Sequence, residues 1–331
     1  HMSRLPKSAG PRVLWIIFDE WDQGLTFDNR PDGLHLPALD RLRRESLYAG
    51  NALPPADATI VSMPSLIEGR VVRVASPIDA ETMELKYMDG STQRFADEPN
   101  LFSEVRRSGM NAAVYGWYLP YCRALGAYLC DCWWQDFSSP LLVASPTFGS
   151  ALLNQPRRLI EPTLFSPFGP SLSAHKHQRT FEELLARSKR VAADPDVRLA
   201  LVHFNVPHAP FIYERATGGM TFSNSVNGYS DALALVDKTI GGLRASMEQS
   251  GTWDSVTVLF SADHFYRGSP LVNGVRDRRV PFLVHFPASS SGLTYMRPFN
   301  TVLTHDLILA LLHSEITSAA STRDWLDRHN Q

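Results

Sequence analysis

The sequence predicts an α/β protein in three layers, with a mainly parallel central sheet and helices on both faces. Two observations favour this class. First, short continuous apolar runs recur along the chain, as is typical of strands buried on both faces of a parallel sheet. They cover residues 13–18, 111–117, 197–205, 255–262 and 279–287. Second, amphipathic helical patterns separate these runs, as in β-α-β units. They cover residues 36–45, 100–109, 180–193, 229–246 and 306–312.

Composition limits the domain organisation and the class of partner. With 331 residues, 44% hydrophobic and 20% charged, the chain is typical of a globular protein, and we interpret residues 12–331 as a single domain. The net charge of -2 argues against a nucleic-acid partner held by charge. No apolar run approaches the roughly 20 residues of a membrane span. Residues 1–11 form a polar linker that begins with His1-Met2, typical of an expression vector, so a membrane anchor outside this sequence remains open.

The first apolar run ends in Asp19-Glu20, which places a carboxylate at the sheet edge where ligands of α/β proteins bind. Residues 51–58 then form a predicted loop leading into a helix near Thr59. A hydroxyl at the start of a helix has two interpretations. It can cap the helix, or it can be a nucleophile whose ionised form the helix dipole and free amides favour.

The middle of the chain contains a predicted insertion and a predicted lid. Asp89-Gly90 is a strong two-residue turn signal, so residues 84–95 predict a β-hairpin inside an insertion over about 71–98. Residues 118–173 are rich in aromatics, Pro and Ser and show little periodicity. Long irregular stretches of this kind are usually functional loops, and we interpret this one as a loop-rich lid.

Two later strands end in residues that bear chemistry. The strand over 197–205 carries His203 and is followed by His208, and the strand over 255–262 is followed by Asp263-His264. A carboxylate beside an imidazole is a natural pair of ligands for Zn²⁺ or Mn²⁺. The alternative is a strand that ends in a turn, with Asp263 capping the next helix and His264 on the surface.

The three cysteines, Cys122, Cys130 and Cys132, lie in one short region. Their odd number allows at most one intramolecular disulfide and leaves one thiol. Because Cys-x-Cys without a second pair or a nearby His is a poor zinc signature, we interpret these cysteines as structural.

Taken in order, these elements resemble the alkaline phosphatase and sulfatase superfamily from about residue 13 to about residue 316. Asp19-Glu20 resembles the first acidic metal ligand of that superfamily. Residues 59–66, Thr-Ile-Val-Ser-Met-Pro-Ser-Leu, resemble the nucleophile motif in the form found in phosphoethanolamine transferases and lipoteichoic acid synthases. Further matches are the His-containing segment 202–210, the Ser-Ala-Asp-His ligand motif 261–264 and the Arg-Val-Pro strand 279–281.

The resemblance implies a three-layer alkaline-phosphatase-like domain with one divalent metal. Asp19, Thr59, Asp263 and His264 would bind it, with Zn²⁺ favoured over Mn²⁺, Mg²⁺ or Ca²⁺ as the ion. Such a cation would lower the pKa of the Thr59 hydroxyl and neutralise charge on the oxygens under attack. Thr59 would then form a covalent phospho-threonine, which water or an acceptor alcohol resolves.

The resemblance also implies roles for histidines and arginines near the metal. His208, or alternatively His203, would bind substrate oxygens, protonate the leaving group or hold a second metal. Two-metal phosphatases carry a further histidine after the Asp-His pair. Residues 265–284 contain no histidine, which favours a site with one metal or an inactive site. Arg267 or Arg276 would supply positive charge to the substrate instead.

The sequence differs from the motifs of formylglycine sulfatases, and these differences favour phosphoryl-ester over sulfate-ester chemistry. Formylglycine sulfatases need Cys or Ser followed by x-Pro-x-Arg, whereas Thr59 stands in a different motif, and the Lys of their Gly-Lys-Trp segment is missing at Gly116-Trp117. We therefore expect a transferase or hydrolase of a phospho-alcohol headgroup such as phosphoethanolamine or glycerophosphate. The alternatives are an inactive member of the fold that acts as a binding module, and a sulfate-ester hydrolase.

The partners expected from this resemblance are a phosphorylated small molecule or lipid headgroup as donor and an alcohol or glycan as acceptor. The transferase branch favours a periplasmic or extracytoplasmic domain of a membrane-anchored bacterial protein, with the cytoplasm as the alternative.

Overall fold

The computed structural model describes residues 3–79, 82–136, 169–223, 228–289 and 291–330. The strands are β1 (Val13–Asp19), β2 (Leu47–Leu53), β3 (Val72–Pro77), β4 (Met83–Tyr87), β5 (Thr92–Arg94), β6 (Asn111–Tyr118), β7 (Asp131–Asp136), β8 (Val197–Pro207), β9 (Phe211–Glu214), β10 (Gly219–Ser223), β11 (Thr257–Ala262), β12 (Val280–His285), β13 (Leu293–Tyr295) and β14 (Phe299–Asn300). The α-helices are α1 (Pro37–Glu45), α2 (Thr59–Glu68), α3 (Leu101–Arg107), α4 (Tyr121–Ala124), α5 (Gly169–Ala193), α6 (Gly228–Gln249), α7 (Ser269–Asn273), α8 (Thr304–Leu312) and α9 (Ala319–His329).

Over the described residues the central sheet has the strand order β13-β2-β12-β11-β1-β8-β6-β7, with β14 also paired to β2. Strand β1 pairs in parallel with β11 and β8, and β6 pairs in parallel with β8 and β7. Strand β12 is antiparallel to both of its neighbours. The predicted α/β class with a mainly parallel sheet is therefore confirmed.

The three strands at the centre of the sheet are buried along their whole length. Every residue of β1, β8 and β11 is buried, which explains why their sequences are continuous apolar runs rather than alternating ones. Because the three strands are parallel, their carboxyl ends lie at one edge. This edge brings together Asp19, the end of β8 and the Asp263-His264 pair.

Helix α2 approaches the same edge and is almost entirely buried. It begins at Thr59 and ends at Gly69, whose φ of 67° is in the left-handed region. A Cβ at Gly69 would lie 2.7 Å from Cγ of His305, so both the backbone conformation and the close packing require glycine. At the other end of α2, the hydroxyls of Ser62 and Thr59 donate to the carbonyl and the carboxylate of Asp263, and these hydrogen bonds hold the first turn against the end of β11.

Some elements differ from the sequence predictions. Strand β2 lies partly where we predicted a loop, because Gly50 and Asn51 interrupt its apolar pattern. Around the predicted hairpin the structure has a three-stranded antiparallel sheet, β3-β4-β5, with Gly90 at φ 83° in the turn. Most of the predicted lid, residues 137–168, lies outside the described residues. Among the helices that are described, none combines the length and apolar character needed to cross a bilayer.

Candidate active site

The hydroxyl of Thr59 lies among three side chains at the carboxyl edge of the sheet. Thr59 is the first residue of α2 and the N-cap is Ala58, so the interpretation of Thr59 as a helix cap is wrong. Its Oγ1 lies 2.7 Å from Oδ2 of Asp263, 3.5 Å from Oδ2 of Asp19 and 3.3 Å from Nε2 of His264. The helix N-terminus favours an anionic oxygen at this point.

Backbone contacts orient Asp263 and His264. Oδ1 of Asp263 accepts the backbone N–H groups of Glu20 at 3.2 Å and of His264 at 2.7 Å. Nδ1 of His264 lies 3.0 Å from the carbonyl oxygen of Phe265, so Nδ1 carries the proton and the Nε2 lone pair faces Thr59. Both side chains are buried, which contradicts the alternative of a capping Asp263 and a surface His264.

Asp19 is a buried carboxylate beside a second one. It is fully buried, and within the described part of the chain its Oδ1 has no hydrogen-bond partner. Burial, reinforced by the negative charges of Asp263 and Glu20, raises the pKa of Asp19 well above its usual range. Burial acts against the ionised form of Asp263, but the neighbouring histidines together with the hydrogen bonds from Thr59 and the His264 backbone lower the pKa of that carboxyl. Two such carboxylates side by side favour a bound cation.

His203 points from β8 into the same cluster. One donor atom each from Asp19, His203 and Asp263 lie within 4.8 Å of one another. Nδ1 of His203 is 2.9 Å from the hydroxyl oxygen of Tyr121. Burial lowers the pKa of His203 to about 4, so the imidazole is neutral at pH 7, the form that binds metals.

The residues present fit the predicted metal. Ligands bound to Zn²⁺ at about 2.0–2.2 Å lie about 3.3–3.6 Å apart when arranged tetrahedrally. Nε2 of His264 lies 3.6 Å from Oδ1 of Asp19 and 3.6 Å from Oδ2 of Asp263. Carboxylate oxygens with imidazole nitrogens suit Zn²⁺ and Mn²⁺, and the unpartnered Oδ1 of Asp19 would gain the contact that it lacks.

His208 reaches the cluster through an aromatic neighbour. The ring of Trp117 packs edge-on against His208, with centroids 5.2 Å apart, and against His177 at 5.4 Å. Trp117 also favours the ionised form of Asp19 and acts to lower the pKa of that carboxyl, against the larger raising effect of burial. The sequence analysis named His208 as a site residue but named neither Trp117 nor His177. His177 was overlooked because the helix that contains it was predicted to begin only at residue 180.

The two arginines predicted to bind substrate differ in position. Nε of Arg267 donates to Oε1 of Glu20 at 2.9 Å, beside the Asp19 end of β1, while 54% of its side chain stays exposed. Arg276 is exposed, and among the described residues no hydrogen bond or ion pair joins it to the site. A cavity of about 440 Å³ is lined by residues 53–57, which precede α2, and by Phe265, Arg278 and Asn300. Arg278, which the sequence analysis did not name, is therefore the basic residue of this cavity.

Comparisons with known proteins agree with this architecture. The family model described as Sulfatase matches residues 11–308. Among curated proteins the search found no match. The sulfatase PsFucS1 from Pseudoalteromonas sp. is 14% identical with a TM-score of 0.64, over 93% of this chain and 69% of that one.

Two further solved structures share the fold. A protein in the alkaline phosphatase superfamily from Vibrio parahaemolyticus is 13% identical with a TM-score of 0.56, over 94% of this chain and 69% of that one. The lipoteichoic acid synthase LtaP from Listeria monocytogenes is 14% identical with a TM-score of 0.58, over 93% and 75%. With the family match covering nearly the whole chain, this protein belongs to the sulfatase family.

Proposed function

We propose that this protein is a metal-dependent phosphoryl-ester transferase or hydrolase that acts through a covalent phospho-threonine at Thr59. The observation that carries the proposal is the position of the Thr59 hydroxyl. It stands at a helix N-terminus, 2.7 Å from a buried carboxylate oxygen of Asp263 and 3.3 Å from Nε2 of His264. A hydroxyl with a proton acceptor at hydrogen-bond distance and amides behind it meets the requirements of a nucleophile.

The residues divide the reaction between them. A divalent cation, with Zn²⁺ favoured, would be held by Asp19, Asp263 and His264 and would neutralise the phosphoryl oxygens and favour ionised Thr59. Oγ1 of Thr59 attacks phosphorus, and its proton passes toward Oδ2 of Asp263. His208, half-buried at the site, donates a proton to the departing alcohol. Water or an acceptor alcohol then attacks the phospho-threonine and frees Thr59.

Residue types at the nucleophile favour phosphoryl over sulfuryl transfer. The Cys or Ser from which formylglycine is made in sulfatases is absent, and Thr59 begins a motif that resembles those of phosphoethanolamine transferases and lipoteichoic acid synthases. The fold shared with a lipoteichoic acid synthase is consistent with this choice. A phospho-alcohol headgroup on a small molecule or lipid is the proposed donor, and an alcohol or glycan is the proposed acceptor.

The cysteines support an extracytoplasmic location. Cys122 and Cys132 form a disulfide that joins α4 to β7, while Cys130 is a free thiol. Structural disulfides persist in oxidising compartments and are rare in the cytosol. We therefore propose that this domain works outside the cytoplasm, in the periplasm or at the cell surface.

The proposal is tested by trapping the covalent intermediate. The protein, loaded with Zn²⁺ or Mn²⁺, is incubated with bis(p-nitrophenyl) phosphate, quenched in acid and digested, and the Thr59 peptide is analysed by mass spectrometry. One p-nitrophenolate leaves as the bond from Oγ1 to phosphorus forms, so we expect a p-nitrophenyl-phosphoryl adduct on Thr59 in the wild type and none in Thr59→Ala. Turnover without an adduct, or equal turnover in Thr59→Ala, would refute the nucleophile. Turnover of p-nitrophenyl sulfate alone would instead support sulfate-ester hydrolysis, and no turnover of either ester would support the binding module.

A further inference from the structure

We infer that His203 is an additional ligand of the metal, and that Tyr121 holds its imidazole in the ligating orientation. This inference rests on the metal centre of the proposed function and changes the role that the sequence suggested for His203. The centre would then combine two imidazoles, from His203 and His264, with the oxygens of Asp19, Asp263 and Thr59.

Two buried atoms without partners carry the inference. Within the described residues, neither Nε2 of His203 nor Oδ1 of Asp19 has a hydrogen-bond partner, although both side chains are completely buried. A buried polar atom without a partner costs about 1–3 kcal/mol. His203 and Asp19 also supply donor atoms to the same group within 4.8 Å, together with Asp263. One cation at this point would satisfy both atoms at once.

The opposite side of the His203 ring is held by Tyr121. The hydroxyl oxygen of Tyr121 lies 2.9 Å from Nδ1. In the tautomer that a metal requires, Nδ1–H donates to that oxygen and the Nε2 lone pair faces the cluster. Metal-binding histidines are usually oriented in this way by an acceptor on their second nitrogen. His264 has the same arrangement, with Nδ1 facing the carbonyl of Phe265. The two imidazoles therefore present equivalent nitrogens.

The packing around Tyr121 restricts the position of its ring. A Cβ at Gly116 would lie 2.5 Å from Cε2 of Tyr121 and 3.4 Å from Cβ of His203, so only glycine at this position of β6 admits the ring. Cys122, the next residue after Tyr121, is tied by the disulfide to Cys132. The close packing at Gly116 and the neighbouring disulfide both restrict the Tyr121 ring, as is expected of a side chain that orients His203.

Exposure separates His203 from His208. His203 has no exposed surface, whereas His208 is only half-buried. A group that protonates a departing alcohol must reach the substrate, and a metal ligand need not. We therefore assign protonation of the departing alcohol to His208.

The test counts imidazole ligands and measures metal affinity. X-ray absorption spectroscopy of the Zn²⁺-loaded full chain should show two imidazoles in the wild type and one in His203→Gln. In competition with a chromophoric chelator, Tyr121→Phe should weaken Zn²⁺ binding by about 10–100-fold, as loss of an orienting partner does. His203→Gln should weaken it further. His285→Gln replaces a buried histidine that pairs with Val258 near the start of β11, away from the cluster, and should stay within about twofold of the wild type.

The wild-type spectrum decides the matter even if a variant fails to fold. One imidazole in the wild type, or His203→Gln with wild-type affinity, would overturn the inference. One imidazole together with a trapped phospho-Thr59 would leave the proposed function intact. Two imidazoles without any covalent intermediate would support the inference while refuting the proposed function. A wild-type protein that binds no Zn²⁺ or Mn²⁺ would overturn both.

Discussion

Thr59 has neighbours from separate elements of the chain, and each neighbour has a distinct role. Asp263, after β11, accepts a hydrogen bond from its hydroxyl, and His264 directs a lone pair toward it. Asp19, at the end of β1, adds a second carboxylate within 3.5 Å. The residue types and their places at strand ends were predictable from sequence. The distances were not, because they depend on how α2 packs against the sheet.

Replacement of Thr59 tests the hydroxyl directly. We expect Thr59→Ala to lower kcat by about 10³-fold or more, since loss of a nucleophile removes the covalent route. Thr59→Ser keeps an oxygen at the same place and should retain most of the activity. Steady-state kinetics on the substrate that turns over in the trapping experiment measure both variants. Equal losses in the Ser and Ala variants would show that the hydroxyl is not the attacking group.

Asp19→Asn should change stability and metal binding in opposite directions. Without metal, a neutral amide removes the cost of burying a carboxylate beside Asp263, so the free energy of unfolding at pH 8 should rise by about 1–3 kcal/mol. Zn²⁺ affinity should fall, because the amide is a weaker ligand. Urea denaturation of the metal-free protein and chelator competition give the two quantities. A loss of metal-free stability would contradict the predicted cost of the buried pair.

At the scale of elements, helix α2 begins with Thr59 in the candidate site and ends with Glu68, whose carboxyl group is buried. Glu68 accepts the backbone N–H of Ala96 at 3.0 Å, from the segment that follows β5. Burial raises the pKa of Glu68 to about 8. Sequence periodicity predicted a helix near Thr59, but it did not show that Glu68 would be enclosed, because the enclosing segment lies about 30 residues further along the chain.

Glu68→Gln should flatten the dependence of stability on pH. The folded protein keeps the Glu68 proton to higher pH than the unfolded chain does, because folding raises the pKa from 4.5 to about 8. The stabilisation from this group is therefore complete below about pH 4.5 and is lost as the pH rises toward 8. Between pH 5 and pH 8 the wild type should lose on the order of 3 kcal/mol relative to Glu68→Gln. Urea denaturation at both pH values measures this difference, and parallel curves would contradict it.

At the scale of the whole molecule, the proposed metal centre can form only in the folded chain. Its candidate ligands run from Asp19 to His264, more than two hundred residues apart in sequence. Parallel pairing of β1 with β11 and β8 brings them together at one edge. An ion that binds this centre binds the native state and not the unfolded one, so binding and folding are linked.

Zn²⁺ should therefore stabilise the whole protein. At a free concentration about 100 times Kd, the free energy of unfolding should rise by about 2.7 kcal/mol, seen as a higher Tm. A chelator should reverse the change. Asp263→Asn serves as the matched control and should show little response to the ion. An equal rise in Tm for the wild type and this variant would place the stabilising ion elsewhere.

The amino-acid sequence by itself determined the fold class and pointed to the candidate residues at the strand and helix ends. Strands buried on both faces must be apolar along their whole length, so β1, β8 and β11 were recognisable locally. Strand β2 was not recognised, since Gly50 and Asn51 break its pattern and its pairing partners are distant in sequence. Asp19, Thr59 and Asp263-His264 were noted because strand ends and helix starts are local signals, and the resemblance of their motifs to a known superfamily supplied their expected roles.

The tertiary structure alone decided which side chains meet. The register that sets His203 opposite Ile17, and the space that Gly116 leaves for Tyr121, place an additional imidazole beside Asp19 and Asp263. The same packing places Arg278, and not Arg276, in the lining of the cavity next to residues 53–57. The physical reason is that a shift of one residue in a strand turns each side chain to the opposite face. Such contacts depend on long-range packing, which no local pattern encodes.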